Sequence, residues 1–481
     1  MSEEKHKEGI TVSKIKDFSE WYTQVIQKAE LADYTKVSGC LVLRPRAYEI
    51  WEAIQDYFNK RIKRLGIRNA YFPSLIPESL LQREADHVEG FAPEVAWVTH
   101  AGTSKLSERL AIRPTSETIM YDTYKNWIQS HRDLPLLINQ WCNIVRWEFK
   151  HPIPFIRTRE FLWQEGHTAH ATREGAEKEV RLILEIYADV YEKLLAVPVI
   201  RGKKSDKEKF AGAVYTTSIE AFSPNGKAIQ AGTSHLLGQN FAKAFGISFL
   251  DEDGKQKYVW QNSWGLSTRA LGAMIMVHGD DRGLVLPPRV AYNKVVIVPI
   301  VFKNDKEHVI KKAKEMRNNL SRFNPILDDR EGYTPGWKFN EWEMKGVPIR
   351  IELGPKDIAS KQAVVVRRDT GKKETVKFTK LKQRIEELLE DIQNSLFTKA
   401  QKQLKDSTVE PHNWKEFVKA IKENKLVCAP WCQETDCEDH IKDKSGGAKS
   451  LNIPFNQKKI KAKCIHCGKD AEYKAYFAKS Y

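Results

Sequence analysis

From Arg146 the chain runs Arg-Trp-Glu-Phe-Lys-His-Pro-Ile-Pro-Phe-Ile-Arg-Thr-Arg-Glu-Phe-Leu-Trp-Gln-Glu-Gly-His167. Two apolar, aromatic-rich runs flank a Lys-His-Pro-Ile-Pro turn, which commits the segment to an antiparallel hairpin with a long connecting loop. Arginines stand at 146, 157 and 159, on and beside those strands. Arg presents a rigid fork that matches phosphate oxygens two at a time, and Phe155 in the loop offers a flat face to a base. A sheet carrying fixed cations and an aromatic plate is suited to a nucleoside triphosphate. An exposed basic hairpin with no ligand would not need Trp163, Glu165 and His167 on the continuing strand.

Around this hairpin the chain divides into units. Its 481 residues suffice for about three domains. Residues 1–17 are a charged tail. A mixed α+β unit follows at 18–288, with antiparallel strands clustered between helices. Its helices are expected from Ala47 to Leu65, where Ile50, Ile54, Tyr57, Phe58, Ile62 and Leu65 share a face and Gly66 follows, from Glu117 to Ser130, and from Arg173 to Leu195. The pair Pro287-Pro288 marks a boundary. Beyond it, at 289–396, strand and helix patterns alternate as in an α/β unit of ordinary domain size. A charged helix from Leu381 to Leu396 leaves it. The last unit, 397–481, is Lys-rich and ends in a cysteine cluster.

Charge and composition restrict the function. Lys and Arg number 78 against 63 Asp and Glu, a net +15 that favours a polyanionic partner. No apolar run reaches the ~18 residues of a membrane span, and the N-terminus lacks the apolar core of a secretory signal. Five of the seven cysteines crowd near the C-terminus, unlike a secreted disulfide framework. A soluble, cytoplasmic protein without membrane contact is expected.

Several short constellations carry chemistry. In Arg113-Pro-Thr-Ser-Glu117 a strand becomes a helix; Thr115 and Ser116 could simply cap it, or Thr115 and Glu117 could face a pocket, with Glu117 accepting from an amine. Gln230-Ala-Gly-Thr-Ser-His235 combines a Gly turn with polar side chains. Gly265-Leu-Ser-Thr-Arg269 sets an Arg at a helix start, adding charge to an N-terminus already favourable for phosphate. Cys464-x2-Cys467 has the spacing of a metal knuckle. It pairs with Cys432-x4-Cys437 or with Cys428-x3-Cys432, and four thiolates around tetrahedral zinc form a closed structural site. Cys40 and Cys142 read as plain buried thiols.

Together these residues resemble a class II aminoacyl-tRNA synthetase, and specifically the prolyl-tRNA synthetases of eukaryotic/archaeal type. Gly39-Cys-Leu-Val-Leu-Arg-Pro45 and its helix resemble motif 1, the hairpin motif 2, and Gly-Leu-Ser-Thr-Arg269 with Leu284-Val-Leu-Pro-Pro-Arg289 motif 3. The resemblance spans roughly Phe18 to Tyr481. It implies a class II catalytic fold, an anticodon-binding domain and a zinc-binding C-terminal domain, acting as a homodimer through motif 1. It implies ligation of L-proline to tRNA(Pro) by way of a prolyl-adenylate, with ATP, Mg2+ and structural Zn2+. Arg146 and Arg269 take the catalytic role. Thr115, Glu117, Arg146, Trp163 and His235 surround proline. Arg146, Phe155, Arg157, Thr158, Gln230, Thr233, Ser267 and Arg269 hold ATP, with Gln230 near magnesium. Glu343, Arg350, Lys356 and Asp357 read the anticodon, and Cys432, Cys437, Cys464 and Cys467 are the zinc ligands.

The chain departs from the family in three places. Cys428 is an extra thiol, Ser267 stands where Thr is common, and the terminus reads Ala-Lys-Ser-Tyr481 where Gly-Arg-Ser-Tyr is usual. The stretch from His167 to Asn262 is too short for an inserted editing domain, so no editing in cis is expected. Threonyl and histidyl enzymes share the motifs but not the cysteine-bearing C-terminal unit. Non-catalytic paralogues usually lose a motif 2 or motif 3 arginine, and Arg146, Arg157 and Arg269 are all present here.

Overall fold

Period-two alternation requires opposite faces of a strand to meet different surroundings, and the Arg146–His167 segment obeys it over a shorter span than its aromatic pattern suggests. In the computed structural model, which describes residues 9–87, 94–302 and 304–481, strands Leu136–Val145 and Glu160–His170 pair antiparallel, with Val145 opposite Glu160. Trp147 to Arg159 is all connecting loop. The two strands belong to an antiparallel run whose order continues through Trp260–Ser267, Lys227–Gly238, Tyr215–Phe222 and Ile200–Lys203.

One face of this sheet is covered by helices. Helix Pro45–Arg64 starts on Pro45 at its first position, where a missing N–H costs nothing, and buries Ile50, Trp51, Ile54, Phe58 and Ile62. Helix Arg173–Asp189, capped by the Thr172 hydroxyl accepting from Gly175 N (3.2 Å), buries Val180, Ile183, Leu184 and Tyr187. The expected extension to Leu195 is a single π-turn at Val190–Leu194. Helix Arg269–His278 completes the layer, and helix Glu117–Trp127 ends three residues short of the Ser130 expected. Phe58 stacks on Tyr187 at 5.3 Å, and Trp264 joins them edge-on beneath the sheet.

The α/β unit is a five-stranded sheet in the order Ile326–Leu327, Val295–Pro299, Ile349–Leu353, Gln362–Arg367 and Lys373–Lys377. Its first three strands are parallel and its last two antiparallel. Helix Leu381–Ser407 then runs unbroken for 27 residues. It passes through the expected end at Leu396 because Lys399 to Lys405 contains good helix formers and no Gly or Pro. The boundary placed at 396–397 therefore falls inside a helix.

The C-terminal unit is not a separate body. Strands Thr408–Val409, Leu426–Trp431, Tyr473–Ser480 and Lys449–Pro454 extend the catalytic sheet, which also carries Arg68–Asn69 at its far edge, to eleven strands, joining it where Ile453 pairs with Lys203. Strand Tyr473–Ser480 also runs parallel to Lys227–Gly238, with Lys479 opposite Lys227.

Candidate active site

On the face opposite the helices, strand register aligns side chains in rows. Glu165, Gly265 and Thr233 are cross-strand neighbours, as are His167, Ser263, His235 and Thr216. These rows floor a cavity of about 270 Å³. Its lining includes Thr115, Glu117, Arg146, Trp163, Gln230, Thr233, His235, Ser267 and Arg269. Nine residues singled out from sequence thus meet in one place.

The arginines are fixed by backbone carbonyls. Arg146 Nε donates to Pro114 O (3.0 Å). Arg269 donates from Nε to Ile156 O (3.0 Å) and from Nη1 to Gln230 O (3.2 Å). Neither forms an ion pair with a carboxylate among the described residues. Enclosure holds both guanidiniums below their ordinary range, with Arg146 and Arg157 adding repulsion at Arg269. A pocket whose cations are desolvated and mutually repelling favours an anion. Arg269 also opens helix Arg269–His278, whose positive N-terminal end adds to that preference.

The other end of the cavity is a buried polar network. The Thr115 hydroxyl donates to Glu117, and Ser116 gives its hydroxyl to Glu165 instead of capping its helix. Glu165 and His167 form an ion pair at 3.0 Å with both side chains sealed from solvent. Burial opposes charge on both partners. The Glu117 and Glu165 carboxylates outweigh it at His167, raising that imidazole, while the His167, Ser116 and Gln140 donors outweigh it at Glu165. His235 goes the other way: burial and then repulsion from His167 push it down to about 3, so its ring is neutral. Its Nδ1 and the Thr216 hydroxyl lie 2.8 Å apart, and Phe210 packs on it at 4.8 Å.

Three residues expected to contact the nucleotide do not line the cavity. Phe155 is 4% exposed in the apolar core, with a φ of 61° that turns the loop inward. It offers no face to a base. Phe161 does line the cavity, in line with Trp163 on the same strand and 5.8 Å from the Arg146 guanidinium. Arg157 is exposed and stacks on Phe149 (4.9 Å), while Thr158 is buried against a separate groove with Cys40 and Pro154. Sequence reasoning left out Phe161, Glu208, Phe210, Thr216 and Ser263. Period-two spacing from Trp163 points to Phe161. Glu208 and Phe210 sit on an irregular loop with no pattern to reveal them.

In the α/β unit Arg350 bridges two carboxylates, Glu343 (2.8 Å) and Glu352 (2.9 Å). Lys356 is exposed beyond the other end of the same strand, where Asp357 accepts from Gly354 N (2.9 Å). The four expected anticodon residues therefore form two pairs at opposite ends of strand Ile349–Leu353.

At the C-terminus the sulfurs of Cys432, Cys437, Cys464 and Cys467 lie within 4.8 Å of one another. Cys437 and Cys464 are 3.7 Å apart, Cys432 and Cys467 3.6 Å. Thiolates at ~2.3 Å from a tetrahedral zinc stand about 3.8 Å apart, so the cluster fits that ion. Cys428 is buried in strand Leu426–Trp431 opposite Tyr476, outside the cluster. Cys40 and Cys142 are half-buried, not sealed; Cys142 faces Glu165 at 3.3 Å, and burial pushes its thiol up.

Comparison with known proteins agrees with this layout. Residues 97–278 match the class II tRNA synthetase core domain (G, H, P, S and T), 294–388 an anticodon-binding domain, and 414–481 the prolyl-tRNA synthetase C-terminal domain. The proline–tRNA ligase of Alkaliphilus oremlandii is 53% identical, the match covering 98% of each chain. The cytoplasmic proline–tRNA ligase of Arabidopsis thaliana is 49% identical over 98% of this chain and 91% of its own. The bifunctional glutamate/proline–tRNA ligase of Mus musculus is 51% identical, and this chain spans 33% of its length. With a class II catalytic core, an anticodon-binding unit and the C-terminal unit of the prolyl enzymes on one chain, and proline–tRNA ligases about half identical over nearly all of it, the chain belongs to the proline–tRNA ligase family of class II aminoacyl-tRNA synthetases.

Proposed function

We propose that this chain ligates L-proline to tRNA(Pro) in two steps, forming prolyl-adenylate and pyrophosphate from ATP and then esterifying the tRNA 3′ end. The observation that carries the reading is the polarity of the cavity. One end holds Arg269, which has no carboxylate partner among the described residues; the other holds Glu117, Trp163 and the neutral His235. Glu117 accepts from the proline amine, Trp163 and His235 bound the ring, and Thr115 supports Glu117. Arg146 lies 5.4 Å from Trp163 and 5.8 Å from Phe161, between the two ends, where the proline carboxylate attacks the α-phosphate.

The step needs no base from the protein. Charge grows on phosphate oxygens, and Arg146 and Arg269, already oriented, stabilise it. Gln230, Thr233 and Ser267 line the ATP end, with Phe161 taking the place expected of Phe155. Magnesium near Gln230 would screen the phosphate charge. The cysteine cluster would hold a structural zinc. Glu343 with Arg350, and Lys356 with Asp357, would read splayed anticodon bases on their edges.

The remaining expectations rest on coarser support. Tyr34, Val37, Val42 and Tyr48, all exposed around strands Ala32–Tyr34 and Leu41–Leu43, suit a homodimer interface. Helix Arg173–Asp189 and the sheet strands account for most of the chain between His167 and Asn262, which supports the absence of cis-editing. The name of the Arabidopsis relative supports a cytoplasmic location, and no described helix is long and apolar enough to cross a membrane.

The test is amino-acid-dependent exchange of pyrophosphate into ATP with proline, threonine, histidine, alanine or no amino acid. Exchange strongest with proline is the expected result. Absence of exchange with every amino acid, in folded and zinc-replete protein, would overturn the reading.

A further inference from the structure

The wall of the amino-acid end is irregular chain. Residues 204–214 form the loop between strands Ile200–Lys203 and Tyr215–Phe222, and it brings Glu208 and Phe210 to the cavity. At its far end the loop is tied to the catalytic core: Phe210 N donates to the Thr216 hydroxyl (2.9 Å), the group that meets His235. Its first residue is tied to the same sheet, Lys204 N to Thr216 O (2.9 Å) and Lys204 Nζ to Glu220 (2.8 Å); between these two anchors the loop is held differently. Among the described residues, every side-chain bond that Ser205, Lys207 and Glu208 make outside the loop goes to the C-terminal unit. Ser205 Oγ donates to Glu438 Oε1 at 3.1 Å, Lys207 pairs with Asp439, and Glu208 lies 3.8 Å from Lys449.

The first of these contacts is the anchored one. Glu438 is 5% exposed and Ser205 6%. The same Glu438 oxygen also accepts from Ser450 on the neighbouring strand, and Ser205 Oγ in turn accepts from Glu208 N at 3.1 Å. A carboxylate two bonds deep in the C-terminal unit thus fixes the backbone of a turn that reaches the cavity two residues later. Lys207–Asp439 is partly exposed and adds little by itself. An exposed surface contact between two units would not require a buried carboxylate shared by two hydroxyls.

We propose that Glu438 is a positioning residue for the amino acid. Acting through Ser205, it fixes the 205–210 turn, so that Phe210 stands as one wall of the amino-acid pocket and the C-terminal unit sets how tightly proline is held and alanine rejected. The proposal rests on the proline reading above. It assigns to the C-terminal unit a part in substrate selection, beyond any structural role of its cysteines.

The test is proline-dependent pyrophosphate exchange by the full chain, with proline and ATP varied separately, in wild type, Ser205→Ala, Glu438→Ala and Glu438→Gln. Ser205→Ala and Glu438→Ala are expected to raise KM for proline about tenfold, the cost of one buried hydrogen bond. KM for ATP stays within about twofold, and the proline-over-alanine ratio of kcat/KM falls by a similar factor of about ten. Glu438→Gln keeps an accepting oxygen and recovers most of the loss. Ser205→Ala removes the bond from the catalytic side and leaves the cysteine unit intact, so misfolding of a Glu438 variant does not decide the matter. An unchanged proline KM in Ser205→Ala, or parallel shifts in both substrates, would overturn the inference alone. Wild-type protein with no proline-dependent exchange would overturn the functional reading and this inference with it.

Discussion

A guanidinium on this cavity does two jobs at once, and a single side chain exposes the difference. Arg269 spends Nε on Ile156 O and one Nη on Gln230 O, which leaves its other Nη for the phosphate in the proposed reading. Lysine keeps the charge but carries a point cation on a flexible stem. Arg269→Lys is therefore expected to lower pyrophosphate exchange about 100-fold, as loss of an oriented charge stabiliser does, with the circular dichroism spectrum unchanged. His278 makes a second prediction at this scale. Burial, opposed by bonds to the Leu195 and Ala196 carbonyls, pushes its imidazole down to about 4, and Nε2 donates to Leu195 O at 2.9 Å. The unfolded chain takes up a proton below its ordinary value near 6.5 while the folded one does not, so the stability this residue supports is present above about pH 6.5 and lost as pH falls toward 4. That loss reaches about 2 kcal/mol at about pH 5. His278→Gln, which can still donate to Leu195 O, is expected to lose less thermal stability between about pH 7 and pH 5 than wild type does; equal losses would refute the assignment.

Strand Glu160–His170 shows what a sequence can and cannot reveal about an element. Its alternation is legible, and it places Trp163, Glu165 and His167 on one face as read. The other face is just as restrictive. A methyl group on Gly166 would come within 2.1 Å of the Trp264 ring, which packs against Phe58 and Tyr187 below the cavity floor. Gly166→Ala is expected to cost about 3 kcal/mol by overpacking, read as a lowered midpoint of denaturation, and to weaken exchange by lifting that floor. Aromatic content is visible in the loop and direction is not: a left-handed φ at Phe155 sends its ring into the core, and Phe161 on the strand lines the cavity. The end of helix Leu381–Ser407 was misplaced because composition shifts there without a stop residue. Cysteine spacing left two pairings open, since only the folded hairpin of the Cys464-x2-Cys467 knuckle selects Cys432 with Cys437. Nothing in the sequence marks the 204–214 loop, part of which is held by a unit more than two hundred residues away.

At the scale of the whole molecule, one sheet joins catalysis to the cysteine cluster, and a short clamp joins catalysis to the anticodon unit. Arg368, 4% exposed, grips both oxygens of Asp280 (2.7 and 2.8 Å) just past the helix that begins with Arg269, and donates from Nε to Glu343 O (2.6 Å). The two connections predict different failures. Cys437→Ser should lower zinc content, read by metal analysis. Because strand Tyr473–Ser480 pairs both with the C-terminal strands and with the strand of Gln230 and His235, it should also lower the denaturation midpoint of the entire chain instead of creating a separate early transition. Lys356 sits on neither connection. It is exposed, and among the described residues its side chain makes no structural bond, so on the anticodon reading proposed above Lys356→Ala would remove a base or phosphate contact and nothing structural. It is expected to reduce kcat/KM for tRNA in aminoacylation by about tenfold or more, within the ~1–3 kcal/mol of one such contact, and to leave tRNA-free pyrophosphate exchange at the wild-type rate. Equal losses in both assays would mean that this end of strand Ile349–Leu353 serves the fold or the active site and not the anticodon, and the pairing of Lys356 with Asp357 as readers would have to be abandoned.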